Sequence, residues 1–448
     1  MDKLYEFRSK RVPVNIPKPN PNPQHNVYFN HLTGIPKPNN SSGLITLDKL
    51  FKNAAQPDER PSSAVFMVFG YNIKNIFPLY TSGTKVIMLA DPRIDDYETL
   101  KANENKEKNL RVLWVKKDPL IKTSAFHPKL YLIKFDKFLR VVIGSGNLFL
   151  EDWINWSNVC WYKDFSLRVD GSTSKTCEFK RELEAFAKIS MGDKYNELKS
   201  FLDIDFKNYD YSKAGVELLY SFPVKKDLGT GQLCGFEMLE AIMTKHKPSK
   251  PYEFKDTKIF YSCSCIGSVN FGITYQFITS IAPNLKSPNA SDYKTQSKYT
   301  NMLKLIYPTQ SYINGLTPKN SNTACLFFNK KIYHKISFNA DLLTQFENNE
   351  AVYGDECFVS HSKIFVVMRD SKIDDDTVIY IGSHNFTKAA WGKISRNKYE
   401  VWNHELGVVF PPEAGSAAFK KDLVSRFSFK IPAKKYDDDD QPFFTVDK

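Results

Sequence analysis

Two stretches of this chain repeat each other closely enough to dictate what it can fold into. His127-Pro128-Lys129 leads into the apolar run Leu130 to Phe135, then Phe138 to Ile143, and ends in Gly144-Ser145-Gly146-Asn147. His361-Ser362-Lys363 leads into Ile364 to Met368, then Val378 to Ile381, and ends in Gly382-Ser383-His384-Asn385. Each is His-x-Lys, a strand, a turn, a second strand and Gly-Ser-x-Asn. Histidine to asparagine is 20 positions in one copy and 24 in the other, the difference lying in the acidic turn Asp370 to Asp376. A tryptophan stands six residues after each asparagine, at Trp153 and Trp391. A site has been duplicated, so the chain is expected to build two like units around two β-hairpins.

In a strand, residues i and i+2 point to one face. His127 and Lys129 therefore project together, as do His361 and Lys363. The returning strand ends at Gly-Ser, where glycine is expected to let the backbone approach a ligand, with asparagine at the mouth. Imidazole, ammonium and carboxamide together suit a phosphate. Lysine supplies a point charge, asparagine a donor, and histidine can attack or carry a proton. Two copies face to face would clamp one phosphodiester from both sides. A lone His-x-Lys could equally be a surface strand end; matched strands, glycines and tryptophans in two copies favour catalysis.

At 448 residues, 42% hydrophobic and 14% aromatic, the chain is long enough for two domains with full cores. Its longest apolar runs are strand-length, so no membrane span is expected, and no basic-apolar leader opens it. Seven cysteines, an odd number without a C-x-x-C pair, suggest a reducing compartment and no zinc site. The net charge of +12 suits a polyanionic partner.

Residues 1–25, with Arg8, Lys10, Arg11 and a proline-rich run, are expected to be a flexible or loosely attached arm: a solvated tail, a nuclear address or a source of phosphate contacts. Strands are expected at 64–71, 84–89, 110–115, 258–264, 398–402 and 406–410. Helices are expected at 176–189, 236–245 and 268–282, with a helix or tight loop over 148–157. Gly267-Ser268-Val269-Asn270 is formally a third Gly-Ser-x-Asn without a preceding His-x-Lys. It is either a phosphate-holding segment with free N–H groups or a glycine turn into a helix. Asp437 to Asp440 is expected to be a solvated loop, not a metal site.

Taken together, the paired motifs resemble those of the tyrosyl-DNA phosphodiesterase (type 1) branch of the phospholipase D superfamily. The wider superfamily carries His-x-Lys-x4-Asp; here Lys134 and Met368 stand in place of that aspartate. Further similarity lies in Tyr28 to Ile35, Ser264 to Ser268, Asn385 to Gly392 and His404 to Phe410. The resemblance implies an α/β fold of two phospholipase-D-like halves, each a mixed sheet flanked by helices, with the active site on their pseudo-two-fold axis. The halves would be residues 26–214 and 215–448. It implies His127 as nucleophile, forming a phosphohistidine, and His361 as acid and then base. Lys129, Lys363, Asn147 and Asn385 would hold the non-bridging oxygens, with no metal and no cofactor. Glu405 would pair with His361; Asn158, at the place of a family glutamine, would hold His127.

Ser264, Cys265, Gly267, Ser268, Thr387 and Ala389 match family positions near DNA. The implied substrate is single-stranded or duplex DNA with a 3′ adduct, above all a tyrosine from a topoisomerase I-derived peptide. The implied setting is DNA repair in the nucleus, by a monomer that touches no membrane. Three rivals stand beside this reading: a superfamily nuclease cutting unmodified DNA, a lipid hydrolase, and a non-catalytic nucleic-acid-binding protein.

Overall fold

The computed structural model describes residues 26–32, 43–91, 97–115, 124–168, 177–287, 293–318, 320–335 and 337–445. The arm over 1–25 and the segment Thr33 to Ile35 lie outside them.

The duplication extends far beyond the hairpins. In the first sheet the strands lie in the order Leu44–Ile45, Val27–Asn30, Val159–Ser166, Phe138–Gly144, Lys129–Lys134, Ser63–Val68, Lys85–Ala90 and Leu110–Trp114. In the second the order is Glu217–Ser221, Glu405–Phe410, Val378–Gly382, Lys363–Arg369, Thr257–Ser262, Leu303–Tyr307 and Leu343–Gln345. Leaving out the short Leu44–Ile45 edge, the two sheets correspond strand for strand. Each hairpin is antiparallel and central. Each His-Lys strand also pairs antiparallel with an earlier strand, beyond which the pairing turns parallel. Central strands such as Ser63–Val68 and Val378–Gly382 are buried along their whole length, which accounts for their unbroken apolar sequences.

The sheets meet through the strands that matter for chemistry. Phe138–Gly144 and Val159–Ser166 pack on Val378–Gly382 and Glu405–Phe410, and one apolar core runs through both halves. A second apolar cluster lines the far side of the first sheet under Tyr131, Trp153 and Tyr80. Two short cross-links join the halves above this core. Trp156–Ser157 pairs in parallel with Val359–Ser360, and Phe126 with His404.

Three expectations need correction. The strand expected over 64–71 stops at Val68, because Gly70 turns to meet Asn147. The helix expected from Ser268 starts at Phe271, since the Asn270 side chain caps it by accepting from the Ile273 N–H at 3.3 Å. The motif glycines make room for a strand, not for a ligand. A Cβ on Gly382 would lie 2.5 Å from Gly407 Cα, and one on Gly144 would meet Val159 O and lie 3.0 Å from Cys160 Cα.

Candidate active site

Each histidine sits where a hairpin strand begins, held by a backbone bond from the opposite half. The His127 N–H donates to His404 O at 3.0 Å, and the His361 N–H to Ser157 O at 2.8 Å. Those carbonyls belong to the residues just before Glu405 and Asn158, so the side chain that meets each imidazole follows. His127 Nδ1 lies 2.7 Å from Glu405 Oε2. His361 Nδ1 lies 3.0 Å from Asn158 Oδ1. This reverses the expected pairing: the carboxylate serves His127 and the carboxamide serves His361. The physical reason is exchange between halves. Asn158 follows the first hairpin in the chain, but its strand turns its carboxamide across the axis to the second histidine.

The motif serines fix both partners. Ser383 Oγ donates to Glu405 Oε2 at 2.6 Å, and Ser145 Oγ to Asn158 Oδ1 at 2.8 Å. Asn403 Nδ2 donates to the other Glu405 oxygen at 3.0 Å. With Glu405 able only to accept, His127 carries its proton on Nδ1 and keeps the Nε2 lone pair for chemistry. The histidine side chains are 13% and 8% exposed while Glu405 is 1% exposed. The rings therefore present an edge to solvent with the carboxylate behind.

Both lysines bend back onto their own histidine's carbonyl: Lys129 Nζ donates to His127 O at 2.9 Å, and Lys363 Nζ to His361 O. The asparagines are held through their oxygens. Asn147 Oδ1 accepts from the Gly70 N–H at 3.2 Å, and Asn385 Oδ1 from the Cys265 N–H at 3.0 Å and Ser264 Oγ at 3.3 Å. That leaves Asn385 Nδ2 as a donor, while Asn147 Nδ2 gives one bond to Asp152 Oδ2 at 2.9 Å.

Both lysines and both imidazoles share one buried region, and its electrostatics reflect that. Burial, opposed by Glu405 and assisted by Lys129, pushes His127 down to about 4. Burial, then Lys363, Lys129 and His127, drive His361 well below its ordinary value. Burial and the Lys363 charge depress Lys129, and burial takes Lys363 down to about 8. Burial would lift the Glu405 carboxyl, but His127, His384 and Lys129 outweigh it and hold it low. An anion at the mouth of this region would raise each of these lowered values, that of Glu405 included.

A sequence profile of the tyrosyl-DNA phosphodiesterase family matches residues 26–446. The chain belongs to the tyrosyl-DNA phosphodiesterase family. It is 25% identical over 343 residues to tyrosyl-DNA phosphodiesterase 1 of Drosophila melanogaster, covering 71% of this chain and 57% of that one. It is 24% identical over 314 residues to tyrosyl-DNA phosphodiesterase 1 of Arabidopsis thaliana, covering 67% and 49%. It therefore spans about half the length of these relatives. The crystal structure of the yeast tyrosyl-DNA phosphodiesterase superposes with a TM-score of 0.70 at 17% identity, over 94% of this chain and 100% of that one. The fold is thus the two-sheet phospholipase-D-like fold.

In this family member the residues expected near DNA gather around Asn385. Ser264 and Cys265 hold its carboxamide. Gly267 lies against Thr387, so closely that a Cβ on it would be 3.0 Å from Thr387 Cβ. Ser268 is exposed beside them. Ala389 O accepts from the N–H groups of Trp402 and Asn403, tying this side to the Glu405 strand. Of the two readings of Gly267 to Asn270, free N–H groups fail for Gly267 and Val269, whose N–H groups go to Phe386 O and Gly267 O, and the turn leads into the helix. Among the described residues, no three His, Cys, Asp or Glu side chains group as a metal site would, no helix is long and apolar enough to cross a membrane, and all seven cysteines are free.

Sequence reasoning missed four kinds of neighbour. Phe69 stands edge-on to the His127 ring with centroids 5.2 Å apart, and Trp156 tilts over His361 at 5.7 Å. The motif serines were legible only as part of a pattern, their role as clamps being tertiary. Asp152, 1% exposed, lies beside Asn147 and His361. Its signal was an acidic residue directly before the buried Trp153, a costly place for a charge without a purpose.

Proposed function

We propose that this chain hydrolyses the phosphodiester between a DNA 3′ phosphate and a tyrosine, and related 3′ adducts, by two displacements at phosphorus. The observation that carries the reading is one buried region holding two His-Lys-Asn sets whose imidazoles have unequal partners. Unequal surroundings separate the roles of chemically equal groups. His127, backed by Glu405, attacks phosphorus through Nε2, and the carboxylate stabilises the positive charge that builds on the ring. The bond from phosphorus to the tyrosine oxygen breaks, its electron pair leaves with the phenolate, and His361 supplies the proton. Water then adds to phosphorus while His361 takes its proton; the P–N bond breaks and its electron pair returns to His127. The products are a DNA 3′ phosphate and tyrosine.

Lys129, Lys363, Asn147 and Asn385 hold the non-bridging oxygens, which lets the reaction run without a divalent metal. One chain supplies both sets, so a monomer suffices. The net charge of +12 favours a polyanionic partner, and the small-residue surface around Asn385 is the side we assign to DNA, in a repair setting in the nucleus. Cleavage of unmodified DNA is the second reading. The test is a 5′-labelled single-stranded oligonucleotide ending in 3′-phosphotyrosine, beside the same strand ending in 3′-OH, with chelator present. Release of tyrosine to leave a 3′ phosphate, with the plain strand intact, is expected. Activity only after magnesium or zinc is restored, or cutting of the plain strand alone, would overturn the proposal.

A further inference from the structure

Resting on that reading of the site, we propose that Asp152 is the carboxylate serving His361, a positioning residue that supports the ring's charge whenever it carries a proton. Asp152 Oδ2 accepts both the Asn147 N–H at 2.8 Å and Asn147 Nδ2 at 2.9 Å, and lies 3.6 Å from His361 Nδ1. The other oxygen, Oδ1, has no hydrogen-bond partner among the described residues although the side chain is 1% exposed. Holding Asn147 needs an acceptor, not a charge. The second copy has no carboxylate there: Ala390 stands at the matching place, and Asn385 is held through its oxygen by Cys265 N and Ser264 Oγ, as Asn147 is by the Gly70 N–H. A bare buried carboxylate oxygen is costly unless its charge is used.

The second observation is the balance of charge across the axis. Glu405, from the second half, sits directly on His127. Asn158, from the first half, sits on His361 and is neutral; its Nδ2 donates to Asp152 O at 2.5 Å, so Asp152 lies directly behind it. The two buried lysines are thus matched by two buried carboxylates, leaving a bound phosphodiester to be matched by one imidazolium. Around His361 the facing groups are Lys363, Lys129 and His127, all opposing its protonation, with Trp156 over the ring. Among the described residues Asp152 is the one carboxylate within 4 Å of its Nδ1. Around Asp152 stand Lys129 and Lys363, with Tyr131 and Cys325 close enough to feel its charge. At 3.6 Å in a water-poor interior, a carboxylate favours the imidazolium strongly.

Asp152→Asn tests this, because an amide oxygen can still receive both Asn147 bonds while the charge is gone. Rapid-quench rates of covalent-intermediate formation are measured against pH for two oligonucleotides, one 3′-phosphotyrosyl and one 3′-(4-nitrophenyl phosphate), whose leaving group departs without a proton. With the tyrosyl substrate the alkaline limb should move down by about one pH unit, with a loss approaching about tenfold at pH 8 and KM little changed. With the nitrophenyl substrate the same rate should stay within about twofold of wild type. Equal losses on both substrates with an unmoved limb would make Asp152 purely structural, and an unchanged profile would deny it a role. A wild-type protein that releases neither group would sink the underlying reading instead. If Asp152→Asn does not fold, Asp152→Ser, which loses the charge but keeps a hydroxyl acceptor, carries the same test.

Discussion

At the scale of residues, the decisive fact is which oxygen meets which imidazole. A carboxylate on His127 Nδ1 stabilises the charge that appears as that ring attacks, whereas the neutral Asn158 makes protonated His361 the readier donor. Glu405→Gln removes the charge and can present an N–H to Nδ1, forcing the proton to Nε2 and removing the attacking lone pair. Formation of the covalent intermediate should slow by on the order of 100-fold or more, with no build-up of adduct. Had Glu405 served His361, the same variant would slow hydrolysis and adduct would accumulate, so rapid-quench assays separate the two pairings. The reactive groups themselves were legible because each lies a few residues from its motif neighbours. The pairing was not, because Glu405 and His127 are joined through His404 O and Phe126, contacts between segments far apart in the chain. Asp152 was passed over for a similar reason, since only the fold places it behind Asn158.

Secondary elements tell the same story one level up. The hairpins and central strands were readable from unbroken apolar runs, since strands buried on both faces carry little else. Element ends were not, because side-chain bonds set them: Asn147 to Gly70 past the end of a strand, and Asn270 to Ile273 at the start of a helix. The motif glycines illustrate how a correct residue can carry a wrong reason. Gly382 is packed under the neighbouring strand, where a Cβ would come 2.5 Å from Gly407 Cα and 2.7 Å from Leu406 O. Both are backbone atoms with little room to move. Gly382→Ala should therefore destabilise the fold by about 1–3 kcal/mol, read as a lowered urea midpoint with an unchanged slope. A midpoint equal to wild type would mean the two strands are not packed this closely.

Across the whole molecule, duplication explains both the architecture and the chemistry. Seven strands of one sheet correspond to the seven of the other, yet the copies have diverged where divergence is useful: Glu405 against Asn158, Asp152 against Ala390. Two facing copies with unequal partners can divide attack from proton transfer, which one copy could not. The most direct measurement is to react labelled 3′-phosphotyrosyl DNA with the wild type, His127→Ala and His361→Asn, quench in denaturant, and look for labelled protein. Tyrosine, with a pKa of roughly 10, needs less help from an acid to depart than water needs from a base to attack the phosphohistidine. The account predicts an acid-labile protein–DNA adduct that persists in His361→Asn and is absent in His127→Ala. An adduct that persists in His127→Ala and not in His361→Asn would reverse the roles, and no adduct in any of the three would contradict covalent catalysis by histidine.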